Sequence, residues 1–311
     1  MSAPMANRVL SAHLDVGIVI VNWNTRDLLR GCLRSLVASD QSVCWRAVVV
    51  DNASTDGSAA MVRAEFPEIA LLENRQNIGY AAANNLGLRM LGFGQPCSPE
   101  APRYALLLNP DTELPPEALR LMLDRFDADS RLGAGGPRLV LPDGKLDLAC
   151  RRSFPTPEVA MWRMLGLSKL FPRSRLFGRY NLTYLDEHLE TEVDCVVGAF
   201  MWVRREVIEH VGLLDETFWM YGEDIDWAYR IKQAGWKILY YPKVTVLHIK
   251  RAASRQNPKT RLEFQRASLT FYYKHFAQRT PRLMHWAVLT GLLIKGGRPL
   301  WADIRARSKS R

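Results

Sequence analysis

The chain predicts a doubly wound α/β fold followed by a basic helical tail. Three observations lead there. The runs Val16–Asn22 (VGIVIVN), 47–50 (AVVV) and Tyr104–Leu108 (YALLL) are continuously apolar or nearly so and of strand length, the pattern of parallel strands buried on both faces. Segments with apolar residues at helical spacing lie between them, and strands alternating with helices indicate a mostly parallel sheet flanked by helices. Each run also ends on polar residues, at Asn22, Asp51 and Asn109-Pro110-Asp111. The carboxyl ends of such strands are where open α/β sheets bind ligands.

Taken in order, residues 1–14 read as a poorly ordered leader. Leu28, Leu29, Cys32, Leu33, Leu36 and Val37 recur as one helical face after the first strand. The strand 47–50 closes on Asp51-Asn52-Ala53-Ser54-Thr55-Asp56-Gly57, and a helix over 58–66, a strand over 69–73 and an Ala- and Asn-rich helix over 80–91 follow. Pro110 cannot donate to a sheet and biases Asn109 towards extended backbone, so the strand from Tyr104 ends there. Residues 115–126 have helical character. Strands over 133–141 and 145–149 flank Pro142-Asp143-Gly144, a turn with hairpin chemistry. Residues 153–192 mix Phe, Trp, Leu and Arg with Pro and Gly, which suggests an insertion of short helices forming a lid or wall on the acceptor side. Strand character returns over 193–203, broken by Gly198, with helices over 206–211 and 224–234 and two strands, 237–241 and 244–248. The main domain spans 15–255, and 256–311 form a helical segment with Pro281 dividing it.

The formal charge of +10 is unevenly placed. Residues 245–311 hold fifteen Lys/Arg against Glu263 and Asp303, a balance of +13, which leaves 27 basic and 30 acidic residues in the other 244. Such a tail can meet an anionic membrane surface; no nucleic-acid motif accompanies it. No stretch has the roughly 18 to 20 apolar residues needed to cross a bilayer. The five cysteines are scattered and form no C-x-x-C pair, which argues against a disulfide framework or zinc knuckle and fits a reducing cytoplasm. Residues 1–14 lack a basic start and apolar core, so no signal peptide is expected.

Several groups can do chemistry. Asp51 can accept hydrogen bonds from a ribose or a pyrimidine N–H. The segment from Asn74 to Asn84, with Arg75, Asn77 and Gly79 before small residues, suits a helix start that faces an anion. Asp111 can serve a hard divalent cation that carries phosphates. Glu223, Asp224 and Asp226 put three carboxylates within four residues, next to Trp219 and Tyr221; repulsion should raise at least one pKa, which suits a general base. The same acids also suit a helix N-terminus, and the two aromatics can stack on a sugar or fill core. His248 emerges at a strand end, where it can ligate a metal with an acid from another strand. Lys250, Arg251, Ser254 and Arg255 follow within reach of a diphosphate.

Together these segments resemble the family 2 glycosyltransferases, in the branch near bacterial rhamnosyltransferases. The stretches are 18–24 (IVIVNWN), 49–57 (VVDNASTDG), 73–84 (ENRQNIGYAAAN), 106–112 (LLLNPDT), 197–204 (VGAFMWVR), 212–230 (GLLDETFWMYGEDIDWAYR) and 235–248 (GWKILYYPKVTVLH). The resemblance implies a GT-A fold, a nucleotide-diphosphate sugar donor, Mn²⁺ or Mg²⁺, and inversion at the anomeric carbon. By position it implies donor binding by Asn22, Asn24, Asp51, Asn77, Gly79, Asn109, Asp111, Arg251 and Ser254. Asp111 and His248 would hold the metal, with Asn109 standing where the family's first Asp of Asp-x-Asp falls. Asp224 would be the base with Glu223 as fallback, and Gly198, Ala199, Trp219 and Tyr221 would border a glycan or lipid-linked acceptor. The Gln-x-x-Arg-Trp of processive synthases is missing, which points to one sugar per event, with thymidine-diphosphate rhamnose as lead donor and uridine-diphosphate hexoses behind. The expected location is the cytoplasm, at the inner membrane face. A non-catalytic sugar-nucleotide- or glycan-binding protein on the same fold is the competing reading. A nucleotidyltransferase is disfavoured because residues 22–26 lack a glycine, and a dehydrogenase because no G-x-G-x-x-G follows the first strand.

Overall fold

The computed structural model describes residues 14–94, 96–250 and 258–309. The leader therefore lies almost wholly outside the described residues, as do Arg251 and Ser254. Nine strands build one sheet: β1 (Val16–Asn22), β2 (Trp45–Asp51), β3 (Ala70–Glu73), β4 (Tyr104–Leu108), β5 (Thr112–Glu113), β6 (Leu132–Val140), β7 (Thr191–Val193), β8 (Phe200–Arg204) and β9 (Lys237–His248). The order is β3-β2-β1-β4-β8-β6-β9-β5, with β7 also on β9.

The first half is the expected parallel unit. β1 runs parallel to β2 and β4, and β2 parallel to β3. All seven residues of β1 and all five of β4 are buried, which is why neither strand alternates in sequence. Helices α1 (Arg26–Val37), α2 (Ser58–Glu65) and α3 (Tyr80–Met90) connect these strands; α1 buries Leu29, Cys32, Leu33 and Leu36. The second half is mixed: β8 is antiparallel to β4 and β6, while β6 is parallel to β9. Tyr104 and Trp202 stack with centroids 5.3 Å apart where the halves meet.

Three local expectations need correction. Residues 145–149 are not a strand: past one bridge between Val140 and Leu146 the chain enters a short 3-10 turn, Leu148–Cys150, capped by Asp147. The stretches 237–241 and 244–248 are one strand, β9. Pro242 does not break it because the register against β6 shifts between Pro137 and Arg138, and the irregularity absorbs the missing N–H. The helix α4 (Ala118–Asp127) begins after Pro115-Pro116 rather than at them.

Between 153 and 192 lie the short helices α5 (Pro157–Met164) and α6 (Leu167–Leu170). After α7 (Arg205–Val211) and α8 (Glu223–Gln233) come the tail helices α9 (Pro258–His275) and α10 (Arg282–Lys309), the latter bent at Gly297. Asp226 of α8 is fully buried and accepts from His275 and Lys274 of α9 at 2.7 Å each and from Arg230 at 2.9 Å. Ala267 and Phe271 pack on Phe218 beside it. The tail thus docks on the helix that begins with the acidic cluster.

Candidate active site

Register brings the first pair of residues together, because Asn22 and Asp51 are direct partners at the ends of β1 and β2. Asn22 Nδ2 donates to Asp51 Oδ1 at 2.9 Å, and the Ser54 amide donates to Oδ2 at 2.9 Å. Asn22 is wholly buried and its Oδ1 accepts from Thr25, so its work is to aim Asp51. Asn24, at φ 53°, accepts from the Thr55 amide and ties the two loops. Asn52, which sequence reasoning passed over, donates to Asn77 Oδ1 at 2.9 Å and to the Gly79 carbonyl at 3.2 Å.

Gly79 adopts φ +88°, and a Cβ there would collide with Trp219. The Tyr80 amide donates to the Trp219 carbonyl at 2.7 Å. This corrects one expectation: that amide of the α3 start is closed by protein rather than open to an anion. The contact instead fastens the Trp219 loop to the loops around Asp51. Trp219 keeps 42% of its surface exposed, while Tyr221 sits at φ 69° with its ring on Phe264.

The second group forms where β9 and β5 pair, with His248 opposite Thr112. His248 Nε2 lies 3.3 Å from Asp111 Oδ1. The alignment is too poor for a hydrogen bond, and this buried oxygen has no hydrogen-bond partner. On the other side of the ring, Nδ1 is 2.9 Å from Asp147 Oδ2, and Lys250 contacts the same carboxylate at 3.1 Å. Burial would depress the imidazole, but Asp111 and Asp147 outweigh it and hold it up at about 9. Asp147 falls well below its usual range because the bonds from His248 and Lys250 overcome its burial. A carboxylate oriented on the far nitrogen of a histidine is the usual support of a metal-ligating imidazole. An orphaned carboxylate oxygen facing an imidazole nitrogen fits a divalent cation that takes its remaining ligands from phosphate and water. Among the described residues no group of three or more His, Cys, Asp or Glu ligands converges, so protein would supply this pair alone.

The third group joins these loops to α8. Tyr80 donates its hydroxyl to Asn109 Oδ1 at 2.9 Å and lies 3.1 Å from the Gly198 carbonyl. Burial, then repulsion by Glu223, pushes its pKa upward, so it remains a phenol. The Gly198 amide donates to Asp224 Oδ2 at 3.1 Å. A Cβ on Gly198 would meet Tyr80 and Asp224 at ordinary contact distance. Ala199 is buried and meets the site only through its carbonyl, which accepts from the Asn109 amide.

Arg152 completes the group at 2.6 Å from Asp224 Oδ2, with both side chains 9% exposed. Burial would depress the guanidinium, but the Asp224 carboxylate reverses that and leaves it well above its ordinary value. Asp224 is thus clamped on Oδ2 by Arg152 and the Gly198 amide, while Oδ1 accepts from the amide of the next residue. Glu223 differs. Burial, then the charge of Asp224, pushes it up to about 8, and its Oε2 has no partner. The fallback base is thus a carboxyl shifted towards neutral pH, without the cation and amide that hold Asp224.

Residues 13–267 match the family model described as Glycosyltransferase like family 2. The chain is a family 2 glycosyltransferase. It is 31% identical over 248 residues to the N-acetylglucosaminyl-diphospho-decaprenol L-rhamnosyltransferase of Mycobacterium tuberculosis, covering 79% of each chain. It is 28% identical to the low-salt glycan biosynthesis hexosyltransferase Agl10 of Haloferax volcanii, over 75% of this chain and 67% of that one. Rhamnosyltransferase WbbL of Escherichia coli is 24% identical over 75% of this chain and 83% of its own. The fold is GT-A. It resembles that of GalNAc-T7, solved with UDP, GalNAc and Mn²⁺ (TM-score 0.57, 16% identity), covering 86% of this chain and about half, 52%, of that one. It also resembles the mannosyltransferase PcManGT of Pyrobaculum calidifontis, solved with GDP-Man and Mn²⁺, with TM-score 0.54, 17% identity and coverage of 94% and 79%.

In this family 2 glycosyltransferase, the strand-end acids and asparagines of the sequence reading converge, and two partners they depend on were missed. Asp147 had been placed within an ordinary strand. Arg152 had a faint signal, the pair Arg151-Arg152 at the edge of the irregular stretch of a near-neutral body.

Proposed function

We propose that the chain is an inverting, metal-dependent transferase that moves one sugar from a nucleotide-diphosphate donor to a lipid-linked glycan. Rhamnose from thymidine-diphosphate rhamnose is the leading donor. The observation that carries the reading is the hydrogen-bonded path from Asn109 through Tyr80 and Gly198 to the Asp224–Arg152 pair. It ties the strand end that bears Asp111 to a carboxyl whose Oδ1 accepts a single backbone amide and has lone-pair capacity left for substrate.

Asp51 would hold the nucleoside, with Asn22, Asn24, Asn77 and Gly79 shaping the loops around it. A divalent cation between Asp111 and His248 would neutralise charge developing on the leaving diphosphate. The acceptor hydroxyl gives its proton to Asp224 Oδ1 while its oxygen attacks the anomeric carbon on the face opposite the diphosphate. The new C–O bond forms as the old one breaks, and the nucleotide leaves with the electron pair. Arg152 holds the Asp224 carboxyl in place through its 2.6 Å contact to Oδ2. Neutral Glu223 avoids a second negative charge beside it.

The acceptor class is supported by the name of the Mycobacterium tuberculosis relative, whose substrate carries a diphospho-decaprenol. Among the described residues no helix is long and apolar enough to cross a membrane. Leu283, Trp286, Ile294 and Trp301 nevertheless stand exposed on α10 amid basic residues, which supports contact with an anionic membrane surface at the inner face. A donor using uridine diphosphate and a hexose is the second reading, favoured by the hexosyltransferase relative.

The test is calorimetric titration of a nucleotide-sugar panel with and without Mn²⁺, on wild type and His248→Ala. One donor should bind, with Mn²⁺ strengthening it, and the variant should lose about 10- to 100-fold of the metal-dependent affinity. Failure of every donor to bind would reject the reading.

A further inference from the structure

Beside the acidic cluster lies a cavity of about 130 Å³ between the insertion and the tail. Its walls are Ala160 and Met164 of α5, Tyr221, Phe271 of α9, and Val288 and Leu292 of α10. Gly222 and Ile225 also line it, and the two residues between them are Glu223 and Asp224. The cavity and the proposed base therefore share one turn of backbone. Apolar cavities of about 150 Å³ stay dry and take up benzene-sized hydrocarbons.

The charge at this cavity points one way. Arg163 and Lys295 line it, Arg163 lying 3.9 Å over the Tyr180 ring. Lys295 is depressed from its ordinary value first by burial, then by repulsion from Arg163, Arg261 and Lys169, and no acid appears among the groups acting on it. Two cations, Arg163 and Lys295, thus line an apolar hole, and Lys169 and Arg261 add positive charge that Lys295 feels. A free hydrocarbon would not call for them, and a free diphosphate would not call for the hole.

We propose that this cavity binds the first isoprenoid units of a polyprenyl-diphosphate acceptor, with Arg163, Lys169, Arg261 and Lys295 around its diphosphate. The inference rests on the transferase reading above and deepens it by naming where the lipid end of the acceptor sits. With the diphosphate at the cationic rim, the sugar beyond it projects towards Asp224. The exposed Trp286, Ile294 and Trp301 lie on the same helix as Leu292 and Lys295, so lipid in a membrane surface meets the cavity through α10.

The test uses the full chain and farnesyl diphosphate as probe, against farnesol and inorganic diphosphate. Farnesyl diphosphate should bind at least about tenfold more tightly than either half, a gain of about 1.4 kcal/mol. Ala160→Trp fills the cavity and should weaken it at least about tenfold. Lys295→Glu, at the exposed rim, should do the same without touching the packing. Farnesyl diphosphate binding no better than inorganic diphosphate, or unchanged binding by both variants, would overturn the proposal. Sugar transfer by wild type to a water-soluble glycoside separates the two levels: if it proceeds while the lipid site fails, only this inference falls. If no acceptor of any kind receives sugar, the transferase reading falls and takes the inference with it.

Discussion

At the scale of the residue, the two neighbouring carboxyls of α8 have opposite fates. Asp224 gains a guanidinium and an amide, whereas Glu223 gains neither and sits near 8. The unfolded chain releases the Glu223 proton from about 4.5 upward, but the folded chain keeps it until about 8. Wild type therefore loses stability as pH rises through that window. Glu223→Gln cannot titrate, so its stability relative to wild type should rise by a few kcal/mol between pH 4 and pH 8. Chemical denaturation at the two pH values checks this, and a difference that does not change with pH would contradict it. The acids themselves were legible in sequence because they end strands or open a helix. Arg152 was not, since its partner lies 72 residues away and only the fold makes them neighbours.

At the scale of the element, the apolar runs β1, β2 and β4 announced themselves because burial on both faces leaves no polar alternation to disguise them. The segment after Gly144 differs for a physical reason: the hairpin chemistry of Pro142-Asp143-Gly144 suggests a returning strand, but Asp147 turns inward to hold His248 and Lys250. β9 was split at Pro242 because proline usually ends a strand, and the register shift against β6 was invisible. The junction of α8 and α9 was also invisible, yet it rests on a single buried acid. Asp226 is drawn down to about 2, since His275 and Lys274 outweigh the burial that would raise it. Its contribution is complete above the ordinary value of 3.8 and is lost as pH falls through about 2. Asp226→Asn should cost about 1–3 kcal/mol at pH 7, because a buried acceptor loses the charge on its bonds from Lys274, His275 and Arg230. The gap to wild type should close towards pH 2, which melting curves at both pH values would reveal; an equal gap at both would contradict it.

At the scale of the whole molecule, the parallel half of the sheet, the mixed half and the basic tail each contribute groups to the proposed site. The parallel half presents Asp51 and Asn109, the mixed half brings His248 to Asp111, and the tail braces the helix of Asp224. Tyr80 and Gly198 connect these groups by hydrogen bonds that end at Asp224, the proposed base. The most direct measurement is the rate of sugar transfer from the bound donor by wild type and Asp224→Asn, with donor affinity measured on the same samples. The account expects turnover to fall by about 10²- to 10⁴-fold while donor affinity stays near that of wild type. Turnover of Asp224→Asn within a few-fold of wild type would contradict it.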